Sequence, residues 1–553
     1  MRVNQTLSTG GILLLSVLSG HVQALDATLI GRYDAKVFDE SASEIVSFHA
    51  ESKRIFVVNA KQHRIDVLDG SKLTSHALET PLHASNLALD YFVDVSENVK
   101  TVALGAANSV DVHGNLMAVA VEAQNKQQPG VVAFYRLDES GKSTFLTYRQ
   151  VGALPDMLTF TPDGSKVVVA NEGEPSNDYK IDPEGSVSII AIEKGEPSNT
   201  VITADFHRFN EKRNPDIRVF GPHATASQDF EPEYISLSTD SKTAYVTLQE
   251  NNALAIVDLD KGVVRDVVPF GYKDFGKIEM DASDKDGKVA LARRPGVMGM
   301  YQPDSIATLN LKGRDYLLTA NEGDSRDYWF DADSEDACLA TGAKKYDEED
   351  GCLGYSEETR AGKLKVEGDQ LKAADVSDEK VLGRLKVTKT LGDSDGNGAY
   401  ERLYAFGGRS FSVWSDSGAL VWDSGDQIEK ITADRLGMDF NNGNDENAGD
   451  SRSDDKGAEP EGIAVGFVNE VPYAFVGLER TGGIMVYNLS DPTNPAFVTY
   501  FGNRDFKTTS VEQAGDLGPE GIKFVSAEKS PTGQALIVIG HEVSGTTTVY
   551  ELR

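Results

Sequence analysis

Two stretches of this chain carry the same carboxylates in the same order. PDMLTFTPDGSKVVVANEGEPSNDY runs from Pro155 to Tyr179, and PDSIATLNLKGRDYLLTANEGDSRDY from Pro303 to Tyr328. Each opens on Pro-Asp, crosses an apolar run and closes on Ala-Asn-Glu-Gly with a further acid behind it. The pattern extends to five acid pairs: Asp156 with Glu172, Glu233 with Glu250, Asp304 with Glu322, Glu461 with Glu479, and Glu520 with Glu542. Their separations are 16, 17, 18, 18 and 22 residues, each a hairpin's length. Glu44 and Glu122 extend the set more weakly. Carboxylates gathered this closely repel one another unless protons or cations sit among them. Hard oxygen donors without His or Cys favour Ca²⁺, several ions if the whole set is used, over Zn²⁺, with other divalent ions open to the same donors. The plainer alternative for any one acid is a turn cap or a partner for arginine.

A second cation candidate is GDSDGNGAYE, Gly392 to Glu401. Asp393, Asp395 and Asn397 alternate, and Gly396 and Gly398 permit sharp turns, as in a short calcium loop that lacks the full EF-hand pattern. An acidic turn with no ion is the other reading. Arg409, in FGGRSFS, and Arg480, beside Glu479, offer planar forks for phosphate; Arg326 and Arg452 lie near similar acids. His541, next to Glu542, is the best-placed acid–base group, ahead of His113 and His223. Metal, arginine and histidine at one mouth would be the chemistry of phosphoester hydrolysis, with a metal-bound water attacking phosphorus. Pairing of each arginine with a neighbouring acid is the competing expectation.

The elements that must position these residues are strands. Eight repeats rich in Val, Ile, Tyr and Phe, separated by DG, DS, GG and PTG turns, begin at Glu44–Asp69, Ser109–Asp138, Asp156–Ile192, Glu233–Asp260, Asp304 onward, Tyr404–Asp423, Glu461–Leu489 and Glu520–Leu552. Repeats of this length with three or four strands each predict an all-β chain folded as a single β-propeller of seven or eight four-stranded blades. A pair of β-sandwiches is the alternative. In a propeller the first strand of each blade runs along the channel and the second returns. The acid before the first strand and the acid after the second then meet at one channel mouth. A polar insertion is expected from Asp324 to Lys380. It holds the only cysteines, Cys338 and Cys352, which are expected to form a disulfide in an oxidising compartment.

The formal charge is −33, from 54 basic and 87 acidic side chains. That excludes the basic footprint a nucleic-acid partner needs. Arg2, the apolar run Ile12–Leu18 and Val22-Gln23-Ala24 read as a Sec leader at residues 1–24 cleaved near Ala24. The expected product is a periplasmic or secreted propeller over 25–553, monomeric, with no membrane span. There is no GxSxG, HExxH, Walker loop or CxxCH. Serine hydrolase, NTPase and haem-linked oxidoreductase readings therefore have nothing to stand on.

The segments EPEYISLS, PDSIATLN…YLLTANEGDSRDY, LGDSDGNGAYERLYAFGGRSFSVW and DSRSDDKGAEPEGIAVG resemble the choice-of-anchor I family, over about Thr28 to Leu552. That family includes proteins described as atypical alkaline phosphatases and is similar to echinoderm spicule-matrix glycoproteins. The resemblance implies an extracytoplasmic propeller. Together with the residues above, the expectation is a calcium-dependent phosphoesterase acting on a phosphate ester or other small anion held through metal. The alternative is a non-catalytic calcium-binding envelope or matrix protein.

Overall fold

In the computed structural model, residues 25–343 and 345–553 are described; the expected leader lies outside them. The described chain forms seven four-stranded antiparallel sheets. Their first strands, Val46–His49, Leu104–His113, Pro155–Phe160, Pro232–Leu237, Ile306–Leu311, Pro460–Val468 and Pro519–Val525, touch one another in a closed cycle. A cavity of about 300 Å³ lies among them, with side chains from all seven in its wall. This is a β-propeller, and the ring of first strands is its channel. The fifth and sixth repeats of the sequence form one sheet: Ile306–Leu311 and Arg314–Asn321 are completed by Ser410–Ser415 and Leu420–Asp423.

Strand composition explains the layers. Second strands such as Lys166–Asn171 (KVVVAN) are covered on both faces by neighbouring sheets and are continuously apolar. The turns between first and second strands repeat one device. Thr161 Oγ1 and Ser165 N donate to Asp163 at 2.7 and 2.9 Å, and Ser238 Oγ donates to Asp240 at 2.7 Å. The last sheet is closed by the start of the described chain: Ala27–Asp34 pairs antiparallel with Thr546–Leu552, Ala27 opposite Leu552. This pairing makes the start of the described chain the outer strand of the last sheet and so ties the two ends of the ring together.

The excursion inside the Ile306–Asp423 sheet runs over residues 322–409, beyond the expected Lys380 boundary. Its first part is a three-stranded sheet, Asp327–Phe330, Tyr346–Asp347 and Gly351–Ser356, joined to the helix Glu335–Ala340 by the Cys338–Cys352 disulfide. Its second part pairs with Tyr272–Asp274 and Val297–Met300 in a five-stranded sheet that includes one parallel pair, Val297–Met300 with Leu403–Ala405. Phe275, Met280, Leu382, Leu385 and Val387 give that part a core of its own. It is therefore a folded unit and not merely polar loop.

Candidate functional site at the channel mouth

The repeated Pro-acid element is a β-bulge. The register slips between Pro155 and Leu158, Pro232 and Ile235, Pro460 and Ile463, and Pro519 and Ile522. A bulge re-aims the side chains next to it, and the acid after each proline sits in that slip. The residue before the proline takes the left-handed conformation in four hairpins: Leu154 (φ 47°), Gln302 (φ 42°), Glu459 (φ 52°) and Gly518 (φ 71°). Three of these are not glycine, and such backbone costs on the order of 1–3 kcal/mol each. The carbonyl it turns inward is used. It accepts from Glu172 N, Gly323 N, Glu479 N and Glu542 N at 2.9, 3.0, 2.7 and 2.9 Å respectively. One backbone device thus fixes both acids of a pair at the same end of the channel.

The Asn of Ala-Asn-Glu-Gly has a different task. Asn171 Nδ2 reaches Ser188 Oγ at 2.9 Å and Asn321 Nδ2 reaches Ser412 Oγ at 2.8 Å, both fully buried, tying second strand to third. Gly323 has φ 93°, and a Cβ there would stand 2.2 Å from Gly407 N. Asn and Gly build the corner, and Glu is left to face the mouth.

The mouth is a two-part bowl. A cavity of about 430 Å³ is lined by Glu44, Glu122, Asp156, Glu172, Glu174, Asp304 and Glu520, with Lys126. An adjoining cavity of about 560 Å³ is lined by Glu172, Glu174, Glu233, Glu250, Asp324 and Asp327. Around the rest of the rim, carboxylate oxygens of Glu461, Glu479 and Glu542 lie within 4.8 Å of one another, as do those of Glu322, Glu459 and Glu479. All ten acids of the predicted pairs are therefore at this mouth. Glu174 and Asp324, the further acids behind Asn-Glu-Gly that the predicted pairs left out, and Glu459 join them. The first two share one position of the quoted repeat, two residues after Asn-Glu, which could have marked them.

Burial, and then repulsion from neighbouring carboxylates, moves these groups out of the usual carboxylate range. Glu172, Glu233, Asp304, Glu461, Glu479 and Glu520 are held well above it. Burial pushes Glu44 up to about 8. Asp156 and Asp324 rise to about 6 and about 7, burial outweighing the nearby Lys126 and Lys456 respectively. Oε2 of Glu250, Glu461 and Glu520 is buried without a hydrogen-bond partner. Such a bowl carries either protons or cations.

The arginines take other roles. Arg409 is buried; it pairs with Glu429 at 2.6 Å and donates to the carbonyls of Asp281, Ser453 and Asp455. Arg326 is also buried, against Asp229 at 2.5 Å and Glu231 at 2.8 Å. Neither fork is free for a ligand. Arg452 holds Glu459 at 2.6 Å. Arg480 is part-exposed and lies 3.0 Å from Glu479 and 3.3 Å from Glu459. Lys456, from the polar loop before Glu461, meets Glu322 at 2.7 Å and Glu459 at 2.9 Å. His541 is buried with Nε2 2.9 Å from Thr548 Oγ1, and burial pushes it down to about 4; it is directed into the sheet while Glu542 reaches the mouth. His113 lies at the opposite end of its hairpin, against Phe160.

In the Gly392–Glu401 loop, both oxygens of Asp393 are taken by backbone: Oδ1 by Gly396 N at 2.8 Å and Asn397 N at 3.1 Å, Oδ2 by Gly398 N at 2.8 Å. Asp395 lies instead with Glu367 and Glu401, their oxygens within 4.8 Å, on an exposed surface. Asn397 Nδ2 donates to Glu367 and Asp395 at 3.0 and 3.1 Å.

Residues 44–492 match the choice-of-anchor I domain, and the chain belongs to that family. Gigasin-3a of Magallana gigas is 32% identical over 197 residues, 33% of this chain and 68% of that protein. A mesenchyme-specific cell surface glycoprotein of Strongylocentrotus purpuratus is 31% identical over 296 residues, 49% of this chain but only 36% of that protein. Among solved structures, the WD40 domain of Toxoplasma gondii coronin aligns with TM-score 0.45 and 8% identity over 96% of this chain and 86% of that one. The Myceliophteria thermophila Cps50 (Swd1) β-propeller domain aligns with TM-score 0.40 and 8% identity over 94% and 100%. Among the described residues no helix is long and apolar enough to cross a membrane.

Proposed function

We propose that this protein is an extracytoplasmic β-propeller that binds divalent cations of the Ca²⁺ type at its channel mouth. The observation that carries the reading is the Glu461–Glu479–Glu542 group. Its three oxygens lie within 4.8 Å of one another, and Glu461 Oε2 is buried with no hydrogen-bond partner. Three converging hard oxygens with an unmet acceptor suit an ion that takes six to eight oxygen ligands. The cell-surface description of the sea-urchin relative supports an extracytoplasmic setting. Thermal unfolding of chelator-treated protein tests the reading. Ca²⁺ at a hundred times its Kd is expected to add about 2.7 kcal/mol, and Glu461→Gln to abolish the increment. An unchanged melting temperature in wild type at millimolar Ca²⁺ would overturn it.

A second reading is phosphoester hydrolysis at the same mouth. It rests on Arg480, whose side chain is 31% exposed beside Glu479 and could meet a phosphate carried by the metal. The ion would supply a polarised water and charge neutralisation. Arg409 and His541 have no part in this version, since both are spent on internal partners. Calcium-dependent turnover of an aryl phosphate that falls in Arg480→Gln supports it; absence of turnover with Ca²⁺, Mg²⁺ or Zn²⁺ leaves the binding reading alone.

A further inference from the structure

The 560 Å³ half of the bowl differs in kind from the trio that would hold a metal. Glu172, Glu174, Glu233, Glu250, Asp324 and Asp327 line it, with Tyr328 and Trp329, and no lysine or arginine among the described residues does so. None of these acids belongs to any group of three carboxylates close enough to share one ion. Ca²⁺ takes six to eight oxygens at 2.3–2.6 Å, and no three acids of this wall converge as the Glu461 trio does. Glu250 is buried, 5% exposed, and its Oε2 has no hydrogen-bond donor, so an ammonium entering here would meet an unpaired acceptor. Several carboxylates and two aromatic side chains around one cavity fit an organic cation, whose ammonium groups stand several bonds apart and whose methylenes pack on rings.

The chain satisfies neighbouring sites with this same chemistry. Lys456 lays its ammonium between Glu322 and Glu459 at 2.7 and 2.9 Å. Lys345 holds its own 4.4 Å from the Trp329 ring centre. We infer that the pocket between Glu172, Glu233, Glu250 and Trp329 binds an alkylammonium ligand, either a free polyamine or consecutive lysine side chains of a polypeptide. The inference does not depend on the Glu461 trio holding a metal.

Only three tryptophans exist; Trp414 is buried, which makes Trp329, at the pocket, a useful reporter. Titration with spermidine and separately with tetralysine, by calorimetry and tryptophan emission, distinguishes the two sources. Wild type is expected to bind at least one of them and change its emission. Glu250→Gln is expected to weaken that binding tenfold or more, and Trp329→Leu to weaken it severalfold and remove most of the optical change. Saturating Ca²⁺ is expected to leave it in place. Binding that is absent for both ligands, or equal in wild type and Glu250→Gln, overturns the inference. If Glu250→Gln does not fold, unchanged affinity in Trp329→Leu overturns it instead. A protein that binds spermidine but shows no calcium increment keeps this inference and loses the metal reading.

Discussion

Two groups of three carboxylates share Glu479, and the fold treats them oppositely. In one, Glu322 and Glu459 are met by the chain's own cations: Lys456 bridges them, and Arg452 and Arg480 close on Glu459. Burial works against ionisation of Glu459, but Lys456, Arg452 and Arg480 outweigh it and hold the group well below its ordinary range. In the other, Glu461 faces Glu479 and Glu542, and burial reinforced by those neighbours holds it well above. In both groups the oxygens lie within 4.8 Å of one another. What differs is whether a loop delivers a lysine. The two groups are therefore told apart by the counter-charges the fold brings to them.

The largest expected effect comes from removing the difference. Lys456→Met would leave Glu322 buried without its counter-charge beside Glu479, and Glu459 with Arg452 and Arg480 alone. Breaking a buried pair of this kind costs about 3–5 kcal/mol, to be read from urea unfolding in chelator. Calcium is expected to restore part of it and to bind with one more ion per chain than in wild type. Full stability in chelator would show that the lysine is not the counter-ion.

A smaller effect is expected from pH. Asp156, Asp324 and Glu44 are raised to about 6, 7 and 8 in the folded protein. The native state then binds more protons than the unfolded chain, so stability falls as pH rises through that range. In chelator the melting temperature is expected to decline from pH 5 to pH 8, and with calcium to decline less. A melting temperature that rises over this interval in chelator would contradict the protonated bowl. The smallest effect is expected at the exposed loop. Asp393→Asn should weaken one turn by less than about 1 kcal/mol and leave the calcium increment of the mouth untouched.

Much of this was legible in the sequence because it repeats. The Pro-acid and Asn-Glu-Gly elements recur at hairpin spacing, and a strand that returns antiparallel must bring them to one end. That logic placed ten acids correctly from spacing alone. It did not find Lys456, which lies outside the repeated elements, or Glu459, although the same Glu-Pro-Glu stands at Glu231. Nor did it see that the Asn of Ala-Asn-Glu-Gly ties strands together while Glu faces the channel. Eight repeats became seven sheets because the fifth and sixth are one sheet split by residues 322–409, where second and third strands are far apart in sequence but paired in register, Asn321 opposite Ser410.

The sequence by itself determined the strand-rich repeats, the negative charge and the shared end of the carboxylates, since each follows from local composition and a period. Only the tertiary structure decided what the charged groups do. Arg409 and His541 looked like ligands' partners and are internal braces; Lys456, which no repeat marks, bridges Glu322 and Glu459. Whether a charge is spent or available depends on which distant segment reaches it first, and that is settled by packing between blades, which no local pattern encodes.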